Sequence, residues 1–310
     1  MQKAYIRELY DIMLHDGRVV SVLSDSGTDY DRLMARELPA QCFDVGIAEQ
    51  CQVGVAAGMA RAGKIPFVCT AGSFLAYRAY EFIRNDVCGQ RLNVKLLGVG
   101  SGTSQRTLGY SHHTTEDIAA LRALPGLTLF SPATPAQAAA CIRAAYALDG
   151  PCYIRMGLNG EREFFTPGAY AFTPGRADRL CDGKDAEIFS VGSILEEVMA
   201  AAALLQRAGI HCGVTDMCSV KPLDAEAVLH AAAQKKALFT VEEHSIYGGL
   251  GGAVAEVLAE NGCAARLVRI GLCDRFATGY GTQAEVRAQN GLDAAHIAAR
   301  VAEALQSARR

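Results

Sequence analysis

The stretch FDVGIAEQCQVGVAAGMA, residues 43 to 60, is made almost wholly of small and apolar residues. It suits a helix enclosed on every side. Glu49 nevertheless stands near its start, followed by Gln50. A lone carboxylate is rarely left in a core unless something holds it there.

The segments on either side set the context. Upstream lies RVVSVLS (18–24) and downstream IPFVCT (65–70), both rich in β-branched residues. Further strands are expected at 94–100, 127–132 and 152–157, with helices at 48–62, 73–88, 115–124 and 135–148. This alternation predicts a mostly parallel sheet with helices on both faces. The pattern lapses over 158–185, where two Pro-Gly pairs interrupt any periodicity. It resumes with strands at 186–192, 211–217, 237–243 and 265–271, and helices near 194–208, 224–235, 250–261 and 293–306. The expected fold class is α/β: two doubly wound domains at 1–160 and 186–310, joined by a linker at 161–185.

A chain of 310 residues fits two domains. Half the residues are hydrophobic, a fifth are charged, and the net charge is -3. With no sizeable basic run, neither nucleic acid nor an anionic membrane is expected as partner. The N-terminus MQKAYIRELYDIM is charged throughout, unlike a secretory signal, and no apolar run is long enough to span a membrane. The 11 cysteines form no C-x-x-C pair. That argues against a disulfide framework and a zinc site, and for a reducing compartment, most simply the cytoplasm.

Two motifs invite readings that their spacing does not support. VEEHSIYGGLGGAVAEVLAE (241–260) sets a Gly-rich turn between a strand and a helix, but three residues after Gly251 comes Val254, where a dinucleotide site needs Gly or Ala. It reads instead as a helix N-terminus packed closely against another backbone. SHHTTED (111–117) holds two His and two carboxylates, yet adjacent His side chains diverge. Thr114 or Thr115 is expected to cap a helix whose first turn is acidic, with His112 or His113 presented to a cleft.

FDVGIAEQ (43–50) resembles the pyrimidine-binding signature of the transketolase family of thiamine diphosphate enzymes. AAGMARAGKIPFVCTAGSFLAYRAYEFIRNDV (56–87) and GYSHHTTEDIAALRALPGLTLFSPA (109–133) are similar to the segments that follow it there. DMCSVKPLD (216–224), TVEEHSIYGGLGG (240–252) and GTQAEVRAQNGLDAAHI (281–297) resemble the family's C-terminal domain. The likeness is nearly end to end and in order.

The resemblance gives Glu49 a task. Thiamine diphosphate reacts at its thiazolium C2, using its own aminopyrimidine as base in the imino form. A carboxyl group hydrogen-bonded to pyrimidine N1′ favours that form. Burial suits the role by keeping a proton available, while the helix N-terminus favours the anion. The alternative is a Glu in the first turn of its own helix. Phe74 and Tyr77 match aromatic positions around the pyrimidine, and their three-residue spacing places both on one helix face; plain core packing is the alternative. Asp25, at a strand end, matches an acidic position near the cofactor, although an Asp opening a turn is ordinary. His112 matches a histidine facing the substrate's reacting oxygens, able to donate to a developing oxyanion. His113 stands beside it as a further substrate contact. Arg155 matches an arginine holding the substrate's phosphate, the kind of group a planar guanidinium binds well. A buried structural ion pair is its alternative.

Two departures qualify the likeness. The family's upstream half, with the G-D-G and later Asn that hold Mg²⁺ and the diphosphate, has no counterpart here, and no residue of this chain is assigned to a metal. The chain is therefore expected to be the C-terminal subunit of a split transketolase, active only with an N-terminal-half partner that carries the Mg²⁺ site, in a heterotetramer or larger. Second, LGYSH (108–112) replaces the usual D-G-P-T-H. Leu108 cannot accept the hydrogen bond that a donor sugar hydroxyl gives to an Asp. The expected reaction is transfer of a two-carbon ketol unit from a ketose, in most cases a phosphate, to an aldehyde. A 1-deoxyxylulose-5-phosphate-synthase-like activity, a relative of the 2-oxo-acid dehydrogenase β chain and a non-catalytic paralogue remain open alternatives.

Overall fold

The computed structural model describes residues 1–25, 29–166 and 168–307. Six parallel strands build the first sheet: β1 (Val19–Leu23), β2 (Cys42–Asp44), β3 (Ile65–Ala71), β4 (Lys95–Val99), β5 (Thr128–Phe130) and β6 (Cys152–Met156). The second sheet takes β7 (Asp178–Cys181), β8 (Ala186–Val191) and β9 (Cys212–Asp216). The chain then returns to the first sheet for β10 (Ser219–Lys221) before completing the second with β11 (Leu238–Ser245) and β12 (Leu267–Leu272). The sheet orders are β10-β5-β6-β4-β3-β1-β2 and β12-β11-β8-β9-β7. Only β10 and β7 run antiparallel to their neighbours, each at an edge. β7 thus lies within the stretch expected to be a linker, and β10 carries a second-domain segment onto the first sheet.

The helices follow from the same alternation. α1 (Gln2–His15) buries Tyr5, Ile6, Leu9 and Met13, a helical stripe against the first sheet. α2 (Asp29–Glu37) and α3 (Glu49–Arg61) follow. Residues 74–88 form an irregular helix in which π-turns at Phe74–Arg78 and Ile83–Cys88 flank a short piece, α4 (Tyr80–Phe82). α5 (Asp117–Arg122) and α6 (Pro135–Ala147) complete the first domain, and α6 is capped by the Thr134 side chain. α7 (Leu195–Arg207), α8 (Ala225–Gln234), α9 (Leu250–Glu260), α10 (Gln283–Gln289) and α11 (Ala294–Ser307) serve the second. One apolar cluster runs from Val22, Leu96 and Leu129 through Ile118 and Leu121 to Leu250 and Val254. The junction between the domains is therefore packed as a core.

α3 is not enclosed on every side. Glu49, Gln52, Val53, Ala56 and Ala57 are buried, while Gln50, Cys51 and Gly58 face outward.

Gly98 in β4 has no room for a side chain, because a Cβ there would lie 2.3 Å from the Tyr153 hydroxyl. Tyr153 cannot yield easily, since its ring is fully buried and its hydroxyl donates to Asp117 Oδ2 at 2.8 Å. Gly98→Ala is expected to cost about 1–3 kcal/mol, as overpacking typically does, read as a lowered melting temperature.

Candidate active site

β1 connects to β2 on one side, while β3, β4 and the later strands add on the other. Loops leaving the carboxyl ends of β1 and β3 therefore diverge, and a crevice opens there. α3 begins at this crevice. The Gln52 side chain fastens it to both strands, donating to Val22 O at 2.7 Å and Cys69 O at 3.1 Å. Asp44 Oδ1 accepts the backbone N–H of Asp25 at 3.0 Å and of Gly46 at 2.8 Å, tying the turn after β1 to the approach to α3. Glu49 is thereby set at the first turn of α3, at the crevice, with its side chain only 3% exposed.

The Glu49 carboxylate accepts a hydrogen bond from Arg78 Nη1 at 2.8 Å. The same guanidinium lies 4.7 Å from the centroid of the Phe74 ring. Phe74 meets the His112 imidazole edge-on, with centroids 5.0 Å apart at 70°. His112 sits on a turn closed by its own N–H on Gly109 O at 3.0 Å, and Ser111 Oγ lies 3.0 Å from its Nδ1. Gly109 has φ +72, a left-handed conformation that favours glycine. Glu49, Phe74 and His112 thus come together from α3, the 74–88 helix and the β4–α5 loop. Arg78, absent from the sequence-based candidates, links the first two; its only signal was a cation one turn after Phe74.

Other candidates stand apart. The π-turn over 74–78 is wider than an α-turn, so three-residue spacing no longer stacks Phe74 and Tyr77 on one face. The Tyr77 hydroxyl instead donates to Glu116 Oε2 and accepts the Glu116 N–H, both at 2.9 Å. Asp25 is exposed, with a left-handed φ of 47. Among the described residues, its tie to the group is the backbone bond to Asp44.

Arg155, expected to hold a phosphate, is engaged by the protein itself. Its side chain is 1% exposed and lies in the domain junction. Nε bonds both oxygens of Asp117 at 3.0 Å, and Nη2 donates to Thr114 O and Glu243 O. Burial works against its charge, but Asp117 beside it more than offsets this and holds the guanidinium above its ordinary range. His113, expected as a substrate contact, is a buried loop residue with its Nε2 on Arg106 O at 2.9 Å. The threonine cap does not form either. α5 starts after Glu116 without a side-chain cap; the Thr114 hydroxyl donates to Gly100 O at 3.3 Å and the Thr115 hydroxyl to Glu116 Oε1 at 2.7 Å.

The Gly-rich turn at 248–252 also has its explanation. Glu242 turns its carboxylate onto the N–H groups of Leu250 at 2.7 Å and Gly251 at 2.9 Å. The anion at this helix N-terminus is the protein's own.

Chemically, the crevice offers a buried carboxylate, an aromatic face and an imidazole. The guanidinium of Arg78 shows what the first two accept: a planar, nitrogen-bearing group bonded to the carboxylate and lying over the ring. The pyrimidine half of thiamine diphosphate has that character. Among the described residues, no group of three His, Cys, Asp or Glu is placed to hold a metal ion.

Residues 1–158 match the transketolase pyrimidine-binding domain, and residues 175–297 match the transketolase C-terminal domain. The chain belongs to the transketolase family. It is 36% identical over 293 residues to an apulose-4-phosphate transketolase subunit of Phocaeicola vulgatus, covering 94% of this chain and 93% of that one. A solved split-gene transketolase, described as an inactive beta4 tetramer, superposes with a TM-score of 0.88 at 37% identity, covering 98% of this chain and 97% of the other. The 1-deoxy-D-xylulose-5-phosphate synthase of Syntrophotalea carbinolica is also 36% identical, but only 45% of its length is covered. The likeness to transketolase subunits is thus full-length on both sides.

In this transketolase subunit, breaking the Arg155–Asp117 pair leaves an uncompensated buried charge. Arg155→Met is expected to destabilise the chain by about 3–5 kcal/mol, seen as a large drop in melting temperature. A normally stable Arg155→Met protein with only a raised KM for a phosphorylated substrate would restore the substrate role.

Proposed function

We propose that this chain is the C-terminal subunit of a two-chain transketolase that moves a two-carbon ketol unit from a ketose to an aldehyde. The observation that carries the reading is the buried Glu49 carboxylate tied through Arg78 to the Phe74 ring, with His112 beside that ring. Bound thiamine diphosphate would supply a nucleophilic thiazolium carbon. Glu49 would hold a proton at the pyrimidine N1′, and Phe74 would seat the ring. Arg78 would release Glu49 as the pyrimidine takes its place. His112 would donate to the substrate oxygen on which charge develops.

The partner is an N-terminal-half subunit that brings the Mg²⁺ and diphosphate site, in a heterotetramer or larger. Two observations support a covered face at the crevice. Ile47, two residues before Glu49, is 74% exposed, and α3 turns Cys51 and Gly58 outward beside it. Phe43, on the same approach to α3, is exposed as well, and it is apolar exposure gathered in one segment rather than at a single residue that suits a protein contact. Leu108 and Tyr110 are exposed on the His112 loop, and Tyr110 leans on Phe276 at 5.3 Å. Leu108 offers no acceptor where an Asp would bind a donor hydroxyl, which sets the donor apart from an ordinary ketose phosphate. Cys88, Cys141, Cys152, Cys212 and Cys218 are buried free thiols, and among the described residues no helix is long and apolar enough to cross a membrane. Both fit a cytoplasmic enzyme.

Glu49→Gln keeps the side chain's shape and removes its proton chemistry. In the two-chain complex it is expected to lower kcat by at least about 10²-fold, the lower range for a lost acid–base group, at an unchanged melting temperature. Full activity in the Glu49→Gln complex would mean that Glu49 is structural, and the catalytic assignment would fall.

A further inference from the structure

The β4–α5 loop leaves the first sheet at Gly100 and returns at Asp117, with His112 near its tip. Its two legs are joined by a bridge between Gly102 and Thr114, each N–H bonding the other's carbonyl at 2.9 Å. The second domain holds both legs next to this bridge, Thr103 and Ser104 just inside it and Thr115 just outside it.

Glu243 in β11 is the centre of that hold. Its buried carboxylate accepts the Thr103 N–H at 3.1 Å and the Thr103 hydroxyl. It also takes Gln283 Nε2 at 3.0 and 3.1 Å, Arg287 Nη2 at 2.6 Å and Ser193 Oγ at 3.4 Å. Gln283 reaches one residue further, donating to Ser104 Oγ at 3.1 Å. On the other leg, Ser245 N–H donates to Thr115 O at 2.7 Å. The fit is close enough to dictate a glycine. Gly102 has φ +61, and a Cβ there would lie 2.7 Å from the Glu243 carboxyl carbon.

Burial pushes the Glu243 carboxyl up, but the charge and hydrogen bond of Arg287 and the bonds from Thr103 and Gln283 hold it below its usual range. A buried ion pair of this kind is weak evidence for stability, because apolar residues of similar volume often serve as well or better. What it supplies here is a fixed point: several directed bonds converging on the base of one loop.

We propose that Glu243 is a positioning residue for His112, the second domain acting on the active site by fixing the register of the loop that presents the imidazole. This rests on the reading of His112 as a catalytic group in a transketolase. It assigns a task to the second domain and accounts for the Glu-Glu pair of VEEHS: Glu242 caps α9, and Glu243 holds the loop.

The test begins with the isolated chain labelled at its histidines and observed by NMR, so that it does not depend on activity. Seven histidines give seven imidazole signals. Glu243→Ala is expected to shift or broaden the His112 signal, while those of His15, His211, His230 and His296 stay in place. In the two-chain complex, Glu243→Ala should lower kcat by about 10²-fold, the scale of a misplacement near 1 Å, with the cofactor's affinity unchanged. Combined with His112→Ala, the two losses should fall well short of additive, since both act through one imidazole. Should Glu243→Ala not fold, Thr103→Val removes one hydroxyl bond, leaves Arg287 on Glu243, and is expected to move the His112 signal in the same way. An unmoved His112 signal in a folded variant, or fully additive losses, would overturn the proposal. If the kinetic arm is silent because His112 is not catalytic, the NMR arm still decides whether Glu243 orders the loop.

Discussion

Arg155 and Asp117 form the contact on which the remainder of the molecule depends. A guanidinium this deeply buried must have its charge and its donors answered. Here the answers come from three places at once: Asp117 of α5, the Thr114 carbonyl of the His112 loop and the Glu243 carbonyl of the second domain. Tyr153 adds its hydroxyl to the same Asp117, and Gly98 is small so that Tyr153 can lie where it does. One pair thus fixes β6 against α5, sets the returning leg of the His112 loop and joins the two domains.

From that junction the site is assembled by pieces of different rigidity. Glu49 is set by the first turn of a helix that Gln52 pins to β1 and β3. Phe74 comes from a π-turn, and His112 from a loop braced on its far side by Glu243. Arg78 neutralises Glu49 in the free chain, which relieves a buried carboxylate that would otherwise be unpaired. The exposed Ile47 beside Glu49 suits a crevice that a second chain covers.

Much of the fold was legible because alternating β-branched and Ala-rich runs are the direct imprint of buried parallel strands and their covering helices. β7 and β10 were not: they are edge strands of three or four residues, too short to show a period. The 74–88 helix was visible, but its π-turns were not, and they separate Tyr77 from Phe74. Glu49 and His112 stood out by matching family motifs, and the structure places both against the same short run of residues, Phe74 and Arg78. Arg155 matched a motif as well, yet its fate depends on Asp117, 38 residues away in the chain and met only in three dimensions. Arg78 carried little signal, since a lone arginine on a helix is ordinary. Glu243 was hidden for a related reason, because its partners come from three separate segments.

The central claim is that this chain is one half of a site. Calorimetric titration with thiamine diphosphate and Mg²⁺ addresses it most directly, first with the chain alone and then with an equimolar N-terminal-half transketolase subunit. The account predicts no magnesium-dependent binding to the isolated chain and one cofactor per pair once the partner is present. Tight, magnesium-dependent binding to the isolated chain would contradict it.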